Sequence, residues 1–327
     1  MPVELSAHPS LGHFLLPDSA EVRARLAAGA ALAPVSLPLT PFDATGQVDL
    51  DAFRLHLTSQ LASRPGALIV CTGVGELASL SLDEYETLVG VAVETAAGQV
   101  PVLAGIGHRG GTEAEFARAA REAGADAGLL MLAPSTVRAP AGATSYAASL
   151  SAESRLPLML GLGTGDRWSS RTVDELSRLP SVIGVLDGAG DLVHIQRLWL
   201  AAPADWVFVN AAPPAEIHAR PYASVGITSS VSAVHAFAPE IAYSFFKGMQ
   251  EGDGAWVEEL LREFYLPLND LTDAEPGYRV SVPKAAARLR GAAVGGVRPP
   301  LVDPAPAHLE SLAELLEHGL RLVAPGW

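Results

Sequence analysis

The segment VPVLAGIGHRGGTEAEFARAAREAGADAGLLML, residues 100–132, holds one full repeat of the pattern that decides the fold. An apolar run over 100–104 is followed by a Gly-rich bend, an Ala-rich stretch of helical periodicity over 112–123, and a second apolar run over 127–132. Working outward, the same rhythm predicts strands at 32–39, 67–71, 156–160, 182–186, 206–210 and 224–228, with helices at 51–62, 82–97, 143–154, 170–179 and 192–200. Eight near-continuous apolar strands imply a parallel sheet buried on both faces, and a chain of this extent suits closure into a TM-free, soluble TIM (β/α)8 barrel. The open doubly wound alternative lacks its Gly fingerprint, because the first strand ends in Leu39-Thr40-Pro41-Phe42.

Beyond Pro239 the pattern is helical, through 254–271, 281–290 and 307–320, and predicts a C-terminal helical appendage. A helix over 19–28 with Ser19 as N-cap makes a short N-terminal helical extension. The division is an extension at 1–30, a barrel at 31–238, and a last barrel helix with the appendage at 239–327.

Composition narrows the function. The 327 residues are 49% hydrophobic and 18% charged, which excludes disorder, and the net charge of −14 argues against nucleic acid and membrane surfaces. The single cysteine, Cys71, allows no internal disulfide, and no apolar run reaches membrane-spanning length, so a cytoplasmic location is expected. Only two lysines occur, Lys247 and Lys284, so any reaction needing an amine has two candidates.

In a (β/α)8 barrel the chemistry sits at the C-terminal strand ends. Those ends carry Thr72-Gly73-Val74-Gly75-Glu76, Gly107-His108-Arg109, Ala133-Pro134-Ser135-Thr136, Leu160-Gly161, Leu186-Asp187-Gly188, Asn210 and Thr228-Ser229-Ser230. His108 titrates near neutral pH and is an acid–base candidate, or a solvated loop residue. Asp187 is a second acid–base candidate, or a helix cap. Glu76 reads as a cap or a general base. Asn210, Ser229 and Ser230 offer hydrogen bonds to a carboxylate or carbonyl, and Arg109, Arg138 and Arg167 could clamp an anion. A serine nucleophile would require His235 beside Ser229 or Ser230, without a Gly-X-Ser-X-Gly elbow to support it. No metal motif and no cofactor fingerprint is present.

Several of these motifs together resemble the dihydrodipicolinate synthase and N-acetylneuraminate lyase superfamily. They are Leu39-Thr40-Pro41-Phe42-Asp43, the 72–76 turn with Leu80 and Tyr85, Pro101-Val102-Leu103-Ala104-Gly105, Ala123-Gly124-Ala125-Asp126, Ile183-Gly184 with Asp187-Gly188, and Gly226-Ile227-Thr228. Within it, Pro276-Gly277-Tyr278, Lys284, Ala287-Arg288-Leu289 and Val297-Arg298-Pro299-Pro300-Leu301 are most similar to 5-dehydro-4-deoxyglucarate dehydratase. The resemblance implies a Schiff-base lysine on the sixth strand, a relay tyrosine ending the fifth, and a carboxylate-holding threonine after the second. At those positions stand Leu186, Leu160 and Val74, and His108 replaces an aromatic residue. Leucine has no nucleophile, so iminium chemistry is excluded at Leu186.

The expectation is a barrel acting on a small carbonyl or keto-acid-like metabolite by a lysine-independent reaction, with His108 and Asp187 as catalytic candidates. Thr72, Gly73, Val74, Leu160, Leu186, Asn210, Ser229 and Ser230 would line the substrate site. The rival expectation is a metabolite-binding pseudoenzyme. The resemblance further implies a homo-oligomer, a dimer or tetramer.

Overall fold

The computed structural model describes residues 18–107, 112–131, 140–163, 166 and 168–324. The first helix, α1 (Ser19–Leu32), is capped by Asp18, whose carboxylate accepts the Ala20 N–H at 3.0 Å. The cap thus sits one residue before Ser19, where a carboxylate also favours the helix dipole.

From there strands and helices alternate. They run β1 (Val35–Ser36), α2 (Leu50–Ala62), β2 (Ala67–Val70), α3 (Leu82–Ala96), β3 (Val102–Gly107), α4 (Glu113–Glu122), β4 (Ala127–Met131) and α5 (Pro140–Ser154). The second half continues through β5 (Leu158–Leu162), α6 (Ser170–Leu176), β6 (Val182–Asp187), α7 (Leu192–Ala201), β7 (Val207–Asn210), α8 (Ala215–Ser224) and β8 (Val231–Ser232). All ladders are parallel, in the order β7-β6-β5-β4-β3-β2-β1-β8. An isolated parallel bridge, Asn210 to Ser230, joins the two ends and closes the barrel, with the Asn210 N–H donating to the Ser229 carbonyl at 2.9 Å.

Two expected strands are corrected. The first is two residues long rather than spanning 32–39, because α1 still occupies Leu32. The eighth lies at Val231–Ser232, since α8 runs through Ser224 and residues 225–229 form its exit loop. The β-branched Val225, Ile227 and Thr228 suggest a strand, but Gly226 at φ +94° turns the chain.

The sheet separates two apolar layers. Inside lie Val35, Ile69, Leu103, Leu129, Met159, Ile183, Leu186, Val209 and Val231, together with Val22, Leu26 and Ala30 of α1. Outside, Leu68, Val70, Ala104, Leu130, Leu160, Leu162 and Val185 meet the surrounding helices. Helix α1 covers the N-terminal end of the barrel, where Gly29 and Gly66 touch. A Cβ on Gly29 would lie 2.0 Å from the Gly66 carbonyl oxygen, so only glycine permits this approach.

After β8 come α9 (Pro239–Glu251), α10 (Gly254–Leu260), a π-helical turn at Leu261–Tyr265, α11 (Leu266–Asp273), α12 (Tyr278–Leu289) and α13 (Pro306–Val323). They share a second core of Ile241, Phe245, Phe264, Val282, Leu312 and Leu316, which takes in Leu39 and Val234 from the barrel. Among the described residues no helix is long and apolar enough to cross a membrane.

Candidate active site at the barrel mouth

Strand β6 determines what the mouth contains. Leu158 pairs with Val182, but the next residue, Met159, pairs with Gly184, so Ile183 is passed over in the ladder as a β-bulge. The bulge changes the alternation: Ile183 and Leu186 face inward, whereas Val182 and Val185 face the helices. Leu186 therefore reaches the barrel interior at the mouth end, 9% exposed, among apolar neighbours.

Asp187 consequently turns outward. It is buried, and its carboxylate accepts the Tyr222 hydroxyl of α8 and, at 3.0 Å, the Ala189 N–H. Burial raises its pKa and those two hydrogen bonds oppose the rise. The side chain fastens the turn after β6 to α8, and the structure does not bring it to the barrel axis.

On β5 the alternation is regular. Leu160 packs in the outer layer with Leu162, and Met159 is inside, which leaves Gly161 as the inward position at the strand end. The expectation that Leu160 floors the pocket is corrected by one residue. A Cβ on Gly161 would meet the Leu130 carbonyl oxygen and the Met131 side chain at 3.3 Å and the Leu129 side chain at 3.5 Å.

The turn after β2 is conformationally unusual: Cys71 and Glu76 both hold left-handed backbones, at φ 52° and 55°. Thr72 is buried with its hydroxyl lacking a hydrogen-bond partner among the described residues, Gly73 is exposed, and Val74 faces the appendage core. Glu76 makes no helix-capping bond. It forms a fully buried ion pair with Lys284 of α12 at 2.6 Å and accepts the Arg298 N–H at 3.0 Å. Lys284 and Arg298 each lie over the Phe42 ring, 4.0 and 4.1 Å from its centroid. Lys284 is thereby spent on joining appendage to barrel, and Lys247 is an exposed residue of α9 near Glu251.

Asn210 is saturated. Its amide donates to the Ala215 carbonyl at 2.7 Å and the Ser230 hydroxyl at 3.2 Å, and its oxygen accepts the Ala212 N–H at 3.1 Å. Ser229 and Ser230 precede β8 and form the closing seam. His235 does not meet them; its Nδ1 is 2.9 Å from the Ser36 hydroxyl. His108, Arg109, Arg138 and Arg167 lie outside the described residues. Among the described residues no group of three or more His, Cys, Asp or Glu side chains is placed to hold a metal.

Sequence reasoning missed a buried polar chain beside β1 and β8. Ser36 donates to Gln60 Oε1 at 2.5 Å, Gln60 Nε2 lies 2.5 Å from His56 Nε2, and that nitrogen also accepts the Leu39 N–H at 3.2 Å. Burial lowers both His56 and His235 to about 4, so both are neutral at pH 7. Nearby, the Ser232 hydroxyl donates to Glu216 at 2.6 Å. Burial pushes the Glu216 carboxyl up to about 7. No short motif announces these residues, which lie on different elements and meet only when β1 and β8 pair.

Eight parallel strands in sequential order, each followed by a helix, define a (β/α)8 barrel, a fold whose chemistry sits at the C-terminal strand ends. The chain belongs to the dihydrodipicolinate synthetase family, whose model matches residues 32–319. It is 49% identical over 306 residues to a protein of Streptomyces avermitilis named as a probable 5-dehydro-4-deoxyglucarate dehydratase, covering 93% of this chain and 92% of the relative. A Streptomyces coelicolor protein of the same name is 47% identical, covering 93% and 94%. Among solved structures, a dihydrodipicolinate synthase from Oceanobacillus iheyensis superposes with a TM-score of 0.81 at 21% identity, covering 92% of this chain and 98% of that one. A Ruminococcus gnavus sialic acid aldolase superposes with a TM-score of 0.81 at 17% identity, covering 91% and 100%.

Proposed function

We propose that this lyase-family barrel acts on a small carbonyl or keto-acid-like metabolite without a Schiff base, by carbon–carbon cleavage, cyclisation, dehydration or isomerisation. The observation that carries the reading is the β6 bulge, which presents Leu186 to the barrel interior while both lysines are engaged elsewhere. The names of the Streptomyces relatives make 5-dehydro-4-deoxyglucarate the first substrate to test and dehydration the first reaction. His108 is proposed as the acid–base group. Asp187 is proposed to position the β6 turn, given its bonds to Tyr222 and Ala189.

Incubation with pyruvate and borohydride, followed by intact-mass analysis, is expected to show no covalent adduct. A stoichiometric adduct on Lys284 or Lys247 would overturn the lysine-independent reading. In a parallel experiment, proton NMR follows 5-dehydro-4-deoxyglucarate and related keto acids. Conversion by the native chain, lost about 100-fold to 10,000-fold in His108→Ala, is the expected outcome.

A second reading, a metabolite-binding pseudoenzyme, draws on the apolar character of Leu186, Gly161 and Val74 at the strand ends. Saturable binding of the same keto acids without conversion would favour it.

A further inference from the structure

The barrel mouth extends sideways into a cavity of about 170 Å³, between the ends of β1, β2, β7 and β8 and the appendage. Leu37, Ala211 and Val231 pack in the inner layer of the barrel and also line this cavity, so it continues the mouth site. Beyond them the wall stays apolar, through Val74, Phe237 and Leu268.

The appendage supplies the far wall from two helix faces. Leu268 and Thr272 stand four residues apart on α11, as do Arg279 and Pro283 on α12. The Thr272 hydroxyl donates to the Asn269 carbonyl at 2.9 Å, so its proton is already committed. Arg279 and Glu216 are the charged residues of the described lining. Glu216 is buried, and burial pushes its carboxyl up to about 7, so at pH 6 it is mainly protonated and does not repel an anion. The Arg279 side chain is 45% exposed, which puts it at the solvent end of the cavity. One of its amino groups pairs with Asp273, and a guanidinium carries five N–H groups, so part of the fork remains for a second carboxylate.

An apolar passage that runs from the mouth to a guanidinium selects a molecule built in the same order. We infer that the cavity takes the distal half of a keto diacid with a hydrocarbon middle, whose methylenes lie against the apolar wall and whose far carboxylate meets Arg279. An engineered apolar cavity of about 150 Å³ takes benzene, and three methylenes with a carboxylate have the same number of non-hydrogen atoms. A hydroxyl on that middle would lose its water against the wall, so a polyhydroxylated chain such as 5-dehydro-4-deoxyglucarate fits less well. The inference rests on the reading that the mouth receives a keto acid, and it names the class of that acid.

The test titrates the full chain at pH 6 by ligand-observed NMR with four probes. They are 2-oxohexanedioate, 2-oxohexanoate without the far carboxylate, hexanedioate without the keto group, and 5-dehydro-4-deoxyglucarate. 2-Oxohexanedioate is expected to bind about 10-fold more tightly than either 2-oxohexanoate or 5-dehydro-4-deoxyglucarate. Arg279→Met should weaken 2-oxohexanedioate and hexanedioate about 10-fold while leaving 2-oxohexanoate within about 2-fold, and Arg279→Lys should recover part of the loss. Asp273→Asn removes the competing carboxylate and should tighten both of these diacids. Arg279→Met should keep the native far-ultraviolet circular dichroism, because its ion pair with Asp273 is exposed.

Absence of saturable diacid binding overturns the inference. So does an Arg279→Met effect no larger on the diacids than on 2-oxohexanoate. Diacid binding weakened by Asp273→Asn also overturns it, since the loss would then belong to the broken ion pair. Binding of 5-dehydro-4-deoxyglucarate as tight as that of 2-oxohexanedioate would show that the wall accepts hydroxyls, against the inference. Hexanedioate that binds as well as 2-oxohexanedioate, and still depends on Arg279, would uphold the carboxylate site and remove the keto acid from the mouth.

Discussion

Glu216 makes the most direct residue-scale prediction. Burial pushes its carboxyl up to about 7 in the folded chain, from the 4.5 of a solvated glutamate. Between those two values the unfolded chain ionises while the folded one keeps its proton. This group's contribution to stability is therefore largest below about pH 4.5, falls as pH rises to about 7, and is flat above. The drop is on the order of 3 kcal/mol. Glu216→Gln keeps the Ser232 contact but cannot ionise, so the wild-type minus variant stability should fall across that window in urea denaturation. Parallel pH curves for the two chains would show that the carboxyl is not held neutral.

Residue identity also predicts what repair achieves. Leu186→Lys places an amine in an apolar interior, where burial lowers its pKa, but no neighbour is set to relay protons. Dehydratase turnover should stay near background in that variant. The companion change belongs at Gly161 rather than Leu160, since Gly161 is the inward position at the mouth end of β5, where a Cβ would lie 3.3 Å from the Leu130 carbonyl oxygen and from the Met131 side chain, so a small local shift accompanies it. Leu186→Lys with Gly161→Tyr and Val74→Thr is expected to exceed the single variant, measured as 5-dehydro-4-deoxyglucarate consumption. Equal activity from the single change would show that the tyrosine and threonine are dispensable.

At the scale of elements, β2 to β7 were legible because each is a short apolar run between Gly or Pro breaks. The same property hid which residues face inward. A strand buried on both sides shows no polar alternation, so Val182–Asp187 carries no mark of the bulge that selects Leu186 over Asp187. The two-residue strands β1 and β8 were misplaced for a different reason: strands that short are defined by their pairing partners.

Neither reading of Glu76, cap or general base, anticipated its partner, because Lys284 lies 208 residues further along the chain. Removing one member of a buried ion pair leaves an uncompensated charge, so Lys284→Met should cost about 3–5 kcal/mol in chemical denaturation. Adding Glu76→Gln, which keeps an acceptor for the Arg298 N–H, should restore much of that loss. A double variant no better than the single would mean that the attraction is not what docks α12.

For the whole molecule, the open question is assembly. The fold covers its sheet with helices all round, yet α7 presents Val193 and Leu200 to solvent, each 70% exposed. Seven residues apart on a helix, they share one face. A closed homo-oligomer most often pairs identical patches across a two-fold axis, so an interface through α7 would set this apolar face against its own copy. Light scattering is expected to give a multiple of the 34.0 kDa chain mass at micromolar concentration. Val193→Glu with Leu200→Glu would bring like charges together across that axis and should lower the mass while leaving the far-ultraviolet circular dichroism unchanged. A wild-type mass of one chain would overturn the expectation of an oligomer, whereas a multiple untouched by the double substitution would place the interface on another face of the barrel.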